Sequence, residues 1–474
     1  MMSNLRAALR VGTLSVALGL SGMLATGAAW AESLADAMVS AYRNSDLLDQ
    51  NRAVLRAADE DVAAAVAALR PVVQWIASSK YSKADIRTVG TVQSLENSLS
   101  LVAQMTIYDF GRSQLGIDIA KETVLATREA LVGVEQNVLL EAVKAYMDVK
   151  SATEQVDLNQ NSVRVIREES RAAQDRFDVG EVTRTDVSLA EARLAATRAG
   201  LAAAEGQLAA AREAYKAATG KAPGKLSAPP KPPKLPKSLE EAKAIAMRTH
   251  PAIRQAQREA AAAELRVAAA AVERQPKITG SAGISLSDTD TDKPMANENT
   301  TVGAQVGIEM SQTLYSGGRL SAGHRKAMAG RDAARSGLSR VGVQVAQQVG
   351  TAWANIDVAR ASISAIDEQI QAARAAYDGV REEASLGART TLDVLDAEQS
   401  LLNAQADRIS AEANLQLAYY SLLSAMGLLT AENLKLGIPT YDPSAYYNAV
   451  KDAPYTSTQG KSLDRVLRAI GKGE

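Results

Sequence analysis

The sequence predicts an α+β membrane protein in which long antiparallel coiled-coil helices carry four β-strands per chain, the whole built by internal duplication. Three observations predict it: landmarks that recur about two hundred residues later, proline-free stretches too long for a globule, and four runs of alternating apolar and polar residues. Four strands cannot close a barrel, so the barrel has to be shared between chains.

The duplication comes first because it sets the period of everything else. Tyr108-Asp-Phe-Gly-Arg112 recurs as Tyr315-Ser-Gly-Gly-Arg319, an offset of 207. Gly180 and Gly387, Thr183 and Thr390, Asp186 and Asp393, Glu191 and Glu398, and Gly220 and Gly427 keep that offset, whereas Pro71 and Pro276 stand 205 apart. The expected division is a leader over 1–31, a first repeat over 32–222, a proline-rich linker over 223–237, a second repeat over 238–429 and a C-terminal segment over 430–474. Pro229-Pro230-Lys-Pro232-Pro233 makes the linker stiff and extended, and Ser238 with Glu241 forms a capping-box pattern opening the next helix.

The helices follow from what is missing. Residues 72–222 and 295–438 contain no proline. Within the first, Leu125, Val132, Leu139, Val143 and Tyr146 recur at helical spacing, an amphipathic stripe on a chain rich in alanine. The 66 residues from Gly111 to Arg176, as one helix, span about 100 Å at about 1.5 Å each. Gly317–Leu386 is as long, and each long helix is followed by a glycine-centred turn and a return helix, about 183–219 and 390–429. Helices alone would suit any coiled-coil structural protein.

The strands narrow that reading. Ile278, Gly280, Ala282, Ile284 and Leu286 alternate with polar or small residues, as do Val302, Ala304, Val306, Ile308 and Met310, and Leu99, Leu101, Ala103, Met105 and Ile107. A fourth, less regular run surrounds Val73, Trp75 and Ala77. Strands are expected at about 72–82, 97–108, 277–287 and 300–314, joined by polar connectors at Lys83–Asn97 and Ser287–Pro294. Runs of about ten residues with one apolar face fit strands of outer-membrane barrels. An open sheet cannot survive in hydrocarbon, where every backbone polar group must be paired. Copies of the chain must therefore supply the missing strands, and strand counting leaves two, three or four copies open.

Composition excludes other classes. Of 474 residues 46% are hydrophobic and 23% charged, with a formal net charge of −1 that becomes −3 once the leader is removed, so nothing points to nucleic acid. That leader has Arg6 and Arg10, an apolar run over Val11–Leu24 and the cleavage pattern Ala29-Trp30-Ala31, the form of a secretory signal. The remaining chain has no window of about 18 apolar residues to cross a membrane as a helix. An exported chain of this kind is either soluble in the periplasm or a β-barrel in lipid of the outer membrane. The absence of cysteine removes disulfides, thiolate catalysis and Cys-based metal sites. The two histidines, His250 and His324, have no acidic or Cys cluster near them, and no phosphate loop or nucleophile elbow is present; no enzyme activity, cofactor or metal is expected. His250 and His324 are expected at solvated positions.

The turn after each long helix carries a specific resemblance. Leu386-Gly-Ala-Arg-Thr-Thr-Leu-Asp-Val-Leu-Asp-Ala397 with Glu398, Leu401 and Asn403, and Val179-Gly-Glu-Val-Thr-Arg-Thr-Asp-Val187 with Ala190, Ala192 and Arg193, resemble the two helical tips of the TolC family of outer-membrane channels. The Tyr108 and Tyr315 joints and Tyr441–Val450 are also family-like, so the resemblance covers residues 32–450. It implies a homotrimer with a shared 12-stranded β-barrel continuous with an α-barrel, and an equatorial collar from the linker and C-terminal segment. It implies export of proteins or small toxic compounds from the periplasm of a Gram-negative bacterium. Its implied partners are a periplasmic adaptor and an inner-membrane ABC, RND or MFS transporter. A periplasmic coiled-coil adaptor without a membrane barrel is the competing assignment.

For the site, the resemblance puts Asp393 and Asp396 in a narrow periplasmic entrance. Three-fold symmetry would make them two rings of carboxylates with raised pKa values and bound cations. As plain sequence, the same two residues are a solvated acidic pair at a helix N-terminus. Arg389 matches a gate-latch arginine that reaches residues matching Thr185 and Asp186, while the family's other latch residue, a tyrosine, is Ala384 here. Gly180, Gly387 and Thr390 are expected to form the tip turns and the surface an adaptor approaches.

Overall fold

The computed structural model describes residues 31–88, 90–292, 300–453 and Arg465. The expected leader, apart from Ala31, and most of the tail beyond Ala453 lie outside the described residues. The chain runs α1 (Leu34–Asn44), α2 (Asp46–Ala67), β1 (Val72–Ile86), β2 (Gly90–Tyr108), α3 (Arg112–Asp178) and α4 (Arg184–Thr219). The second copy repeats it: α5 (Leu239–Thr249), α6 (Pro251–Val272), β3 (Lys277–Thr291), β4 (Thr301–Ser311), α7 (Arg319–Ser385) and α8 (Thr391–Ala425), followed by α9 (Pro443–Val450). Both long helices have 67 residues, about 100 Å of rod.

Each copy opens with an interrupted helix whose break has a local cause. Pro251 lacks the amide that would continue α5, and His250 caps α6 by accepting from the Ala252 amide at 3.2 Å. His250 is half-buried, not solvated as expected, and burial pushes its pKa down. In the first copy Ser45 caps α2, accepting from the Leu48 amide. The return helices end on these breaks. Asn44 Nδ2 donates to the Thr219 carbonyl at 2.9 Å, and Thr249 Oγ1 donates to the Met426 carbonyl at 2.6 Å. Gly220 and Gly427, both at positive φ, let the chains approach.

The middle of the rod is belted by the linker and C-terminal segment. Tyr146, near the midpoint of α3 and fully buried, donates to the Ser227 carbonyl at 2.8 Å. Glu32 pairs its backbone with Lys225 and Ser227. From the C-terminal side, the Ala431 amide donates to Glu135 at 2.7 Å, and the Arg52 guanidinium lies between the rings of Tyr42 and Tyr441, 5.3 and 5.2 Å from their centroids.

The four strands form one antiparallel sheet in the order β1-β2-β3-β4, so β2 against β3 joins the two copies. The register lines up the rows Trp75, Leu101, Ile284, Ala304 and Ala77, Leu99, Leu286, Val302 on one face. The other face carries Ser78, Ser98, Ser287, Thr301 and Ile76, Ser100, Ser285, Gly303. Nothing among the described residues covers the apolar face: Val302 and Val306 are 78% and 88% exposed. β1 and β2 run through most of the expected connector Lys83–Asn97, because its polar residues alternate as regularly as apolar ones and bond across the ladder. Tyr81 donates to Gln93 at 2.7 Å, and the Ser82 and Ser94 hydroxyls lie 2.8 Å apart. β3 likewise extends to Thr291, and β4 stops at Ser311, short of the expected 314.

The helices pack on one another along the rod. α3 packs on α2 and α6 towards the sheet and on α4 and α8 towards the far end, whereas α7 packs on α6, α5 and α8. Nineteen residues of α3 are buried but only six of α7, so α7 is the edge rod of a single chain. No described helix is long and apolar enough to cross a membrane.

A Cβ at Gly427 would lie 2.7 Å from His250 Cα and 2.8 Å from the Thr249 carbonyl oxygen, at φ +76°. Gly427→Ala is expected to cost at least about 2 kcal/mol and to lower the temperature at which the purified protein unfolds, read by circular dichroism. Gly206→Ala, mid-helix with open space around it, should not lower that temperature.

Candidate functional site at the hairpin tips

The α3–α4 and α7–α8 hairpins turn by the same device. The Glu181 amide donates to the Arg176 carbonyl and the Gly180 amide to that of Phe177, both at 2.9 Å. The Ala388 amide donates to Glu383 and the Gly387 amide to Ala384. These are Schellman closures, and they need the left-handed backbone that Gly180 (φ 83°) and Gly387 (φ 76°) supply. Val179 and Leu386 stand 72% and 78% exposed beside them.

The return helices then start from capping boxes. The Thr183 amide and hydroxyl donate to Asp186 Oδ2 at 2.9 and 2.7 Å, and those of Thr390 donate to Asp393 Oδ2 at 3.0 and 2.8 Å. Both carboxyls are held below the usual carboxylate range, Asp186 by the Thr183 hydroxyl first and Asp393 by the Thr390 amide first. The rise expected for Asp393 belongs to a ring of such carboxylates about a three-fold axis, and within one chain the cap sets the opposite direction. The carboxylate is spent on its own helix terminus, which prefers it charged.

Asp396 is not free either. It accepts from Arg193 Nη2 at 2.5 Å, across from α8 to α4, and Arg193 Nη1 also reaches Gln399 Oε1 at 3.4 Å. Arg389 does not meet Thr185 or Asp186 within the chain; it pairs with Glu383 of its own turn at 2.8 Å. Arg389 stands six positions after Glu383, and the tight turn folds one onto the other, while Asp186 is occupied by Thr183. Ala384 is buried.

Other contacts tie the two hairpins together. Ser162 Oγ donates to Glu398 Oε1 at 2.8 Å, and Arg381 pairs with Glu169 at 3.3 Å. A small apolar cluster of Ile166, Ala173, Ala190 and Leu395 joins α3, α4 and α8. Glu398 is 8% exposed and burial pushes its carboxyl up. Its repeat partner Glu191 is exposed. The difference is positional: α8 packs on α3, α7 and α4. In the sequence Glu398 is a repeat landmark and part of the tip pattern, and its place in the apolar register of Val394 and Leu395 is the signal of its burial.

Among the described residues no group of His, Cys, Asp and Glu could hold a metal ion. The site offers hydrogen bonds, charge and exposed turns, with the sheet at the opposite end. A rod of helices that is capped at one end, and at the other bears a sheet whose apolar face and two edges are uncovered, is one staff of an outer-membrane channel. The chain matches the family model described as "Outer membrane efflux protein" over residues 37–221 and 245–428, and it belongs to that family. It is 37% identical over 442 residues to outer membrane efflux protein BepC of Brucella suis, covering 92% of this chain and 95% of that one. It is 24% identical to outer membrane protein TolC of Escherichia coli, covering 95% and 92%. In fold it is similar to the solved CusC channel, with a TM-score of 0.73 at 21% identity over 84% of this chain and 92% of the other. The protein is an export channel of the Gram-negative outer membrane that extends into the periplasm, and the adaptor assignment is not favoured. Members of this family are channels, not enzymes.

The buried Glu398 gives a pH prediction. Its folded-state pKa lies above the ordinary 4.5, so its protonated form favours the fold below that value and the benefit is lost as pH rises through the folded pKa. Glu398→Gln keeps an acceptor for Ser162 and removes the charge. Hydrogen exchange near Leu395 should be slower in this variant than in the wild type at neutral pH, and equal below pH 4.5. An equal rate at neutral pH would refute the assignment.

Proposed function

We propose that three copies of the chain close one barrel of twelve strands over a tube of helices. Through it, proteins or small toxic compounds would pass from a periplasmic adaptor and an inner-membrane ABC, RND or MFS transporter to the exterior. The observation that carries this reading is the uncovered sheet: β1 and β4 each keep one unpaired edge, with exposed Trp75, Val306 and Ile308 on one face and serines on the other. In hydrocarbon those edges need partners, and β4 of one copy against β1 of the next would provide them. The exposed flank of α7 fits the same repetition.

In this reading the hairpin tips form the periplasmic entrance, and Gly180, Gly387 and Thr390 shape the surface offered to the adaptor. Asp393 and Asp396, repeated about the axis, line that entrance. A latch from Arg389 to Thr185 and Asp186 would have to run between neighbouring chains, since within one chain these residues do not meet.

The expected outcome is a detergent-dependent trimer that dissociates on heating and conducts ions in planar bilayers. Deleting it should sensitise cells to drugs or deplete the secretome. Arg389→Ser should raise single-channel conductance; unchanged conductance would sink the latch while leaving the channel intact.

A further inference from the structure

We infer that Arg193 sets the charge of the periplasmic entrance in this protein, by neutralising Asp396 from within the same chain and tying the first hairpin to the second. This rests on the reading of the tips as the entrance. Arg193 stands on α4, three-quarters buried, with one guanidinium nitrogen 2.5 Å from Asp396 Oδ1 and the other 3.4 Å from Gln399 Oε1. The geometry fixes a positive charge against the more exposed of the two acids that would face the entrance. Asp393, one turn away, already gives its carboxylate to the Thr390 amide and hydroxyl.

The pair occurs once per chain, because the duplication does not repeat it. The positions equivalent to Arg193 and Asp396 are Ser400 and Leu189. Its two residues therefore come from unlike copies, and it bridges α4 to α8 where the packing already joins them through Ala190 and Leu395. An ion pair of this exposure contributes little to stability. Its effect is electrostatic: three guanidinium groups around the axis halve the fixed negative charge that Asp393 and Asp396 would contribute. The entrance is then a weak site for multivalent cations, in contrast to two rings of free carboxylates.

The test is block of the reconstituted channel by lanthanum(III) from the periplasmic side, with calorimetric titration of lanthanum(III) into the detergent-solubilised oligomer as a readout independent of conduction. Removing three unit charges close to a trivalent ion should change its affinity about tenfold in moderate salt. Arg193→Gln should lower the blocking concentration and the calorimetric dissociation constant by about that factor. Arg193→Lys should stay near wild type, and Arg193→Gln with Asp396→Asn should return to it. Equal affinity in wild type and Arg193→Gln by calorimetry overturns the inference, as does a double variant that binds as tightly as Arg193→Gln. If no variant conducts, the channel reading fails, and calorimetry still decides the role of Arg193.

Discussion

The architecture depends on what hydrocarbon does to a strand edge, because an unpaired amide or carbonyl there costs several kcal/mol and has no water to turn to. The four-stranded sheet satisfies its interior strands through β2 and β3 and leaves β1 and β4 half-paired. The chain is thus incomplete by construction, and the remedy is another copy of the same surface. The alternation that puts Leu101 and Ile284 on one face and Ser100 and Ser285 on the other then gives lipid one wall and the lumen the other. Helices that continue from these strands inherit the ring, which is how chains that bury little on α7 come to stand side by side as a tube.

Duplication solves the geometry cheaply but the two copies are not in equivalent places. Both have an 11-residue and a 22-residue helix, a hairpin and a 67-residue rod. Yet α8 packs against both long helices whereas α4 does not pack on α7. Equivalent residues consequently acquire different chemistry: Glu398 is buried under Ser162 and Glu191 is exposed. The asymmetry is what makes a once-per-chain pair such as Arg193 with Asp396 available at all.

Most of the fold was legible because it is written in local rules. Pro71 and Pro276 precede the strands, Gly111 and Gly318 open the long helices, and Thr183 and Thr390 with their acids open the return helices. The strand ends were less legible, since a polar ladder from Tyr81 to Gln93 carries no apolar period to read. At the site, the turn glycines and capping residues could be identified from spacing, but their partners could not. Asp393 accepts from the Thr390 amide as a cap, and Arg389 bonds within its own turn. Arg193 and Asp396 lie in unlike copies, and only the packing of α4 on α8 brings them together.

The two ends of the rod are therefore held by interactions of very different strength. At the sheet, separating chains would strip hydrogen bonds from alternate residues along a strand in lipid, a cost that rises with each pair broken. At the tips, Schellman closures and capping boxes close the turn backbone inside each hairpin. What links one hairpin to the other there is the small apolar cluster of Ile166, Ala173, Ala190 and Leu395 and three side-chain contacts, Arg193 to Asp396, Arg381 to Glu169 and Ser162 to Glu398. Exposed ion pairs contribute about 0–1 kcal/mol each. In the proposed assembly, separating the hairpins at the tips therefore costs less than opening a strand pairing in the barrel.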